Sequence, residues 1–169
     1  MPNPPPQDRL QPSLLDRLTD DEPHQRQESR EKRVLSLRQL REAVLRDLSW
    51  LLNTVNFSPV HDPEEFPVAA RSVLNYGLPP MAGSTASSTD IRALEKQLKQ
   101  AIAEFEPRIL RHTLKVKAIL ADDQMNHNAL NFDIEGELWA QPVPMRLYLR
   151  TEVDLENGTV TVSETAGKG

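Results

Sequence analysis

The most chemically pointed stretch of this 169-residue chain is Glu106-Pro107-Arg108. A carboxylate and a guanidinium flank a proline, whose ring fixes its own φ and restricts the residue before it. The two charges are therefore set on a defined chain path. Arg108 carries the planar fork that pairs bidentately with carboxylates or carbonyl groups. On pattern alone two readings are open: an ordinary surface pair contributing only ~0–1 kcal/mol, or a rigidly presented charged corner for recognition. No catalytic set accompanies them. Glu104 and Glu106 stand two apart at a helix end, point to different faces and do not converge on a substrate. His24, His61, His112 and His127 include no pair at helical metal-ligand spacing. The chain has no cysteine, which removes thiolate metal sites, cysteine nucleophiles and a disulfide scaffold. Its six glycines are isolated, and no phosphate loop or serine nucleophile motif occurs. The expectation is a protein that is not an enzyme, with no catalytic residue, metal or cofactor.

Two further stretches suggest binding. In Ser13-Leu14-Leu15-Asp16-Arg17-Leu18, three leucines at i, i+1 and i+4 form one apolar helical face, and Ser13 is a suitable N-cap. Such a helix either folds back on its own domain or docks on a partner, and both readings are open. Thr159-Val160-Thr161-Val162-Ser163 is a short alternating strand close to the C-terminus. At a sheet edge its unpaired N–H and C=O groups would accept a partner strand, whereas paired on both sides it would offer nothing.

The elements that must position these groups follow from hydrophobic period. Leu37, Leu40, Val44, Leu48, Leu51 and Val55 recur at helical spacing, predicting a helix over residues 34–55. Residues 68–76 suit a second, short helix stopped by Gly77, Pro79 and Pro80. A third, with Ile91, Leu94, Leu98, Ile102 and Phe105 on one face, is expected to be capped by Ser88 or Thr89 and ended by Pro107. The period then changes to two. Residues 114–120, 130–135, 143–153 and 159–163 each alternate apolar and polar side chains, predicting four half-buried antiparallel strands. Asn157-Gly158 predicts a tight type I′ hairpin, residues 122–128 a longer hairpin loop, and Gly136 a bulge. The fold class is α+β, with about three N-terminal helices packed on one face of a four-stranded antiparallel sheet. Lys115, Lys117, Asp133, Glu135, Arg146 and Arg150 fall on the other face.

Composition sets the boundaries. Six of the 14 prolines lie in the first 23 residues, so residues 1–33 read as a flexible tail carrying the motif at 13–18. Residues 34–165 form a single domain and residues 166–169 a short tail. The formal charge of −5 argues against a sequence-independent nucleic-acid binder. No apolar run is long enough to span a membrane and no signal-peptide core is present, so a soluble cytoplasmic protein is expected.

Taken in order, Ser13-Leu14-Leu15-Asp16-Arg17-Leu18, Ser72-Val73-Leu74-Asn75-Tyr76-Gly77-Leu78-Pro79 and Glu106-Pro107-Arg108 resemble the TssE family of type VI secretion baseplate subunits. That family is similar to the baseplate wedge protein of contractile phage tails, sometimes labelled lysozyme-like. Pro80-Met81-Ala82-Gly83 departs from the family, which more often has an acidic residue and Ser-Gly there. The resemblance implies a structural subunit beside TssF, TssG and other baseplate proteins, under a TssB/TssC sheath, at a baseplate docked to the inner membrane complex. It implies that Glu106, Pro107 and Arg108 contact the helical core bundle of the wedge. It also implies that the strand region offers a template for the first sheath ring. Two other functions remain open. One is a protein-binding regulator of the anti-adaptor kind, thought to share this fold. The other is a peptidoglycan hydrolase, which needs a proton-donating Glu in an apolar pocket and a second carboxylate at fixed distance.

Overall fold

Two amphipathic helices supply one wall of the core, and each begins where a side chain satisfies the free amides of its first turn. The first is α2, Leu37–Leu52, which follows a five-residue helix α1, Leu14–Leu18. Ser36 accepts the amide of Gln39, whose side chain reaches back to the Ser36 amide. Leu40, Ala43, Val44, Leu48, Leu51 and Leu52 are buried along one stripe. The computed structural model describes residues 13–19, 24, 36–60, 65–83, 89–119, 129–140 and 144–165. Most of the expected N-terminal tail, Val34, Ser88, Leu120, the loop at 122–128, Val143 and the tail at 166–169 lie outside these residues.

α2 ends earlier than its apolar period predicts. Thr54 and Asn56 bond to the backbone of Leu78, which draws Val55 out of the helix and leaves it exposed. Leu37 is also half-exposed rather than on the core stripe. The close approach to Thr54 explains Gly77: at φ +116 its missing Cβ would sit 2.2 Å from the Thr54 carbonyl oxygen.

The single short helix expected over 68–76 is broken. The chain makes one turn in α3, Pro67–Ala70, then a 3-10 turn over Val73–Asn75. The Ser72 hydroxyl donates to the Ala69 carbonyl and accepts the Leu74 amide, and the Asn75 amide donates to Ala70. These local bonds compete with helix continuation. The last helix, α4, spans Ile91–Phe105 and is capped by Asp90, not by Ser88 or Thr89. The Asp90 carboxylate accepts both the Arg92 and Ala93 amides. Among the described residues, two long α-helices and two short ones therefore stand where about three were expected.

Four strands follow: β1 Lys115–Ile119, β2 Ala129–Leu138, β3 Met145–Asp154 and β4 Val160–Glu164. They pair antiparallel in the order β1-β2-β3-β4, so β1 and β4 are the edges. Val116, Phe132, Ile134, Leu147, Leu149, Val153 and Val160 point inward and join the helical stripes in one core. The outer face carries the expected charges, with Lys115 near Glu135 and Arg150 on Asp133. Gly136 is no bulge: it pairs in register with Leu147, and its neighbours stay in step. Glycine fits there because the Ile109 methyl stands 3.0 Å from where a Cβ would be, so a side chain would have to push it aside. The β3–β4 connection is not a two-residue type I′ turn either. That turn needs positive φ at both central residues, and only Gly158 has it. Residues 155–159 form a longer loop, because Leu155 turns inward and is fully buried.

Candidate functional site

The corner at Glu106-Pro107-Arg108 is built by the end of α4. Glu106 caps the helix, its amide donating to the Ile102 carbonyl, and Pro107 prevents a further turn. Beyond the corner, the Arg108 carbonyl accepts the Trp139 amide at 2.7 Å, and Ile109 bridges to Leu138. The corner is thereby fastened to the end of β2. Within it, the Glu106 side chain folds forward instead of pointing outward. Its Oε1 accepts the Arg108 amide at 3.1 Å and Nε at 2.7 Å, and its Oε2 accepts Nη2 at 2.5 Å. Glu106 is only 2% exposed. It is a buried anchor, and Arg108 is the partly exposed member of the pair.

Arg108 Nη2 also donates to Asp47 Oδ2, at 2.5 Å, on α2. Asp47 Oδ1 accepts Arg46 Nε at 2.9 Å. Arg46 Nη1 in turn meets Asp16 Oδ1 of α1 at 2.7 Å. The result is a line of alternating charge, Asp16–Arg46–Asp47–Arg108–Glu106, running from the short N-terminal helix to the buried end of α4. Tyr76 packs edge-on against Phe105 beside it and donates to the Asp47 carbonyl. Arg46 also lies over the ring of Trp50, 5.2 Å from its centroid.

The electrostatics follow from this pairing. Burial works to lower the Arg108 pKa, but the hydrogen bonds and charge of Glu106, then of Asp47, outweigh it and move it upward. At Asp16 burial raises the pKa. Its hydrogen bonds to Ser13 and its pairing with Arg46 overcome that, and the carboxyl ends below its ordinary value. Burial pushes the Tyr76 phenol up, helped by the charges of Asp47 and Glu106. Two donors on this line stay unspent: among the described residues neither the buried Arg46 Nη2, though 2.8 Å from Asp47 Oδ1 in an ion pair, nor the buried Arg108 Nη1 has a hydrogen-bond partner. Such a group carries a standing penalty of about 1–3 kcal/mol, which an acceptor from a partner would relieve.

The structure brings two of the three predicted stretches together. The motif at 13–18 reaches the corner by way of α2, Asp16 pairing with Arg46, whose neighbour Asp47 holds Arg108, and Ser13 and Asp16 form a reciprocal cap. Its leucines do not follow: Leu14, Leu15 and Leu18 are 72%, 42% and 74% exposed. The side chain of Arg17 lies outside the described part. So α1 is attached by its charged side and presents its apolar side outward.

The third stretch, residues 159–163, lies apart from the corner, on the edge strand. Asp154 N donates to the Thr159 carbonyl and Thr165 N to the Tyr148 carbonyl. Antiparallel alternation then turns the backbone groups of Val160, Val162 and Glu164 to the outer edge. At Val160 that edge is covered. Asn53 Oδ1 accepts the Val160 amide at 2.9 Å, and Asn53 Nδ2 donates to the Val160 carbonyl at 2.8 Å. At the other edge, Glu95 of α4 accepts the Ala118 amide at 2.6 Å. Sequence reasoning did not single out Arg46, Asp47, Asn53 or Glu95. Each is a polar residue of a helix or helix end with no motif around it, and only the packing shows what it meets.

Among the described residues no group of His, Asp or Glu is placed to hold a metal ion, and no helix is long and apolar enough to cross a membrane. The family model of the baseplate wedge protein gp25 matches residues 38–143, a span that includes nearly all of α2, all of α4, the corner, β1 and β2. Among solved structures, a Geobacter sulfurreducens protein described as a tail lysozyme is similar at 18% identity, covering 80% of this chain and 98% of that one. Its TM-score of 0.41 is too low to bear on fold or activity. No curated protein matches the chain.

Proposed function

Because the chain belongs to the baseplate wedge gp25 family, we propose that it is a non-catalytic structural subunit of a type VI secretion baseplate. That family supports a structural role in a phage-tail-like baseplate. In the finer reading, the corner joins the TssF/TssG wedge and the strand region templates the TssB/TssC sheath, in the cytoplasm at a baseplate docked to the inner membrane complex. The observation that carries it is the Asp16–Arg46–Asp47–Arg108–Glu106 line. A side-chain network of this rigidity holds one guanidinium in a fixed pose with a donor unspent, which suits an acceptor-rich partner such as a helix end or a carboxylate. The exposed leucines of α1 lie beside it, an apolar complement to the charged contact. Glycoside hydrolysis needs a carboxylic acid free to donate its proton, and both Glu106 oxygens are committed to Arg108.

Co-purification of the full chain with TssF, TssG and the sheath subunits tests this. Wild type is expected to retain TssF and TssG, and Arg108→Ala to lose them while urea unfolding confirms that the variant is folded. Leu14→Asp with Leu18→Asp, at largely exposed sites, is expected to weaken retention as well. Equal retention by wild type and all variants would remove the corner from the interface. Capture of a response regulator in place of wedge proteins would favour the regulator reading.

A further inference from the structure

Asn53 closes α2 and occupies the edge of β4 with the same side chain. Its Nδ2 donates to the Ser49 carbonyl at 2.7 Å and to the Val160 carbonyl at 2.8 Å, while its Oδ1 accepts the Val160 amide at 2.9 Å. An amide that donates to one residue's C=O and accepts its N–H reproduces what a neighbouring strand residue would do. The far end of the strand is held differently, by Arg41 on the Glu164 carboxylate at 2.8 Å, a side-chain contact that leaves the Glu164 backbone alone. Among the described residues, no hydrogen bond from outside the sheet reaches the backbone of Val162 or Glu164. Among the described residues the strand therefore has a closed first half and an open second half.

We propose that Asn53 is an edge stop. It stands in for a strand at Val160, prevents a second copy of this chain from pairing along the whole of β4, and confines strand addition to residues 162–164. An exposed edge is a self-association hazard, and proteins blunt edges to avoid it. Here the blunting is one side chain at one residue, and the remainder of the edge stays usable. The confinement of an incoming sheath strand rests on the templating reading above, whereas the stop against self-pairing does not.

The test is amide hydrogen exchange on the full chain, wild type against Asn53→Ala and Asn53→Asp, with sedimentation velocity alongside. Asn53→Ala is expected to speed exchange at Val160 about tenfold, to leave Val116 unchanged, and to raise self-association. Asn53→Asp keeps an acceptor for the Val160 amide but faces the Val160 and Ser49 carbonyls with an oxygen that repels them, so Val160 protection is expected to fall between wild type and Asn53→Ala even though the Ser49 cap is gone. Unchanged Val160 exchange in Asn53→Ala would overturn the proposal. So would equal loss of protection in both variants, which would trace the effect to the helix cap. A synthetic sheath-strand peptide added to each protein separates the two readings. Protection of Val162 in wild type, spreading to Val160 in Asn53→Ala, supports the confinement. No peptide protection in either protein counts against templating and leaves the Val160 result to decide the stop.

Discussion

At the corner, Arg108 meets three carboxylate oxygens from Glu106 and Asp47 and retains one buried donor. At the outer edge of β4, the interacting groups are backbone, and among the described residues Val160 alone is covered. The two regions share α2, which gives Asp47 to one and Asn53 to the other. Their chemistry differs in kind. The corner fixes the direction of a few charged donors, so what it recognises must match in position. The edge offers generic N–H and C=O groups that any extended chain fits, so its selectivity has to come from what is blocked. A directional site tolerates little change in its supports, and a generic one needs a stop.

This contrast predicts different responses to substitution. The largest effect is expected for Glu106→Ala, which leaves a mostly buried guanidinium with Asp47 alone. Removing one partner of a buried pair typically costs 3–5 kcal/mol, and because Arg108 remains partly exposed about 3 kcal/mol is expected in urea unfolding. A cost under about 1 kcal/mol would show that the corner is not the tightly supported region described. Arg108→Lys keeps the charge and loses the fork, and a smaller loss of about 1–2 kcal/mol is expected by the same measurement. Weaker still is the attachment of α1. Since the Asp16 pKa is lowered in the folded protein, its contribution is present above the ordinary aspartate range. It fades as pH falls through the folded value, below about pH 4. Protection factors at the Leu18 and Thr19 amides, corrected for the slower intrinsic exchange in acid, are expected to fall on acidification, and in Asp16→Asn to be low already at neutral pH. A pH-independent α1 would contradict the ion-pair attachment. Smallest is the edge: Glu164→Ala at an exposed position is expected to change unfolding by less than about 0.5 kcal/mol. A larger loss would mean that the edge is structurally committed after all.

How far the sequence shows this arrangement depends on whether local pattern or distant packing decides it. The stripes of α2 and α4 and the alternation of β1 to β4 are legible because burial on one face imposes a period. Element ends were less so. Asp90 outcompeted Thr89 as a cap by reaching two amides, and Leu155 lengthened a turn that Asn157-Gly158 would otherwise have tightened, for the sake of burial. Gly136 looked like a bulge because its real reason, the Ile109 methyl, comes from across the corner. At the site, the Ser13–Leu18 and Glu106–Arg108 motifs stood out as local sequences. The residues joining them, Arg46 and Asp47, look like any solvated stretch of an amphipathic helix until α1 and the corner are placed against them. Asn53 was hidden likewise, since its partner is 107 residues away.

The most direct test of the account is the hydrogen-exchange footprint of the full chain, free and bound to TssF and TssG. The account predicts added protection at residues 14–18, 46–47 and 106–110, with residues 162–164 unchanged until sheath subunits are supplied. Protection by TssF and TssG on β4, with residues 106–110 exchanging as in the free chain, would contradict it.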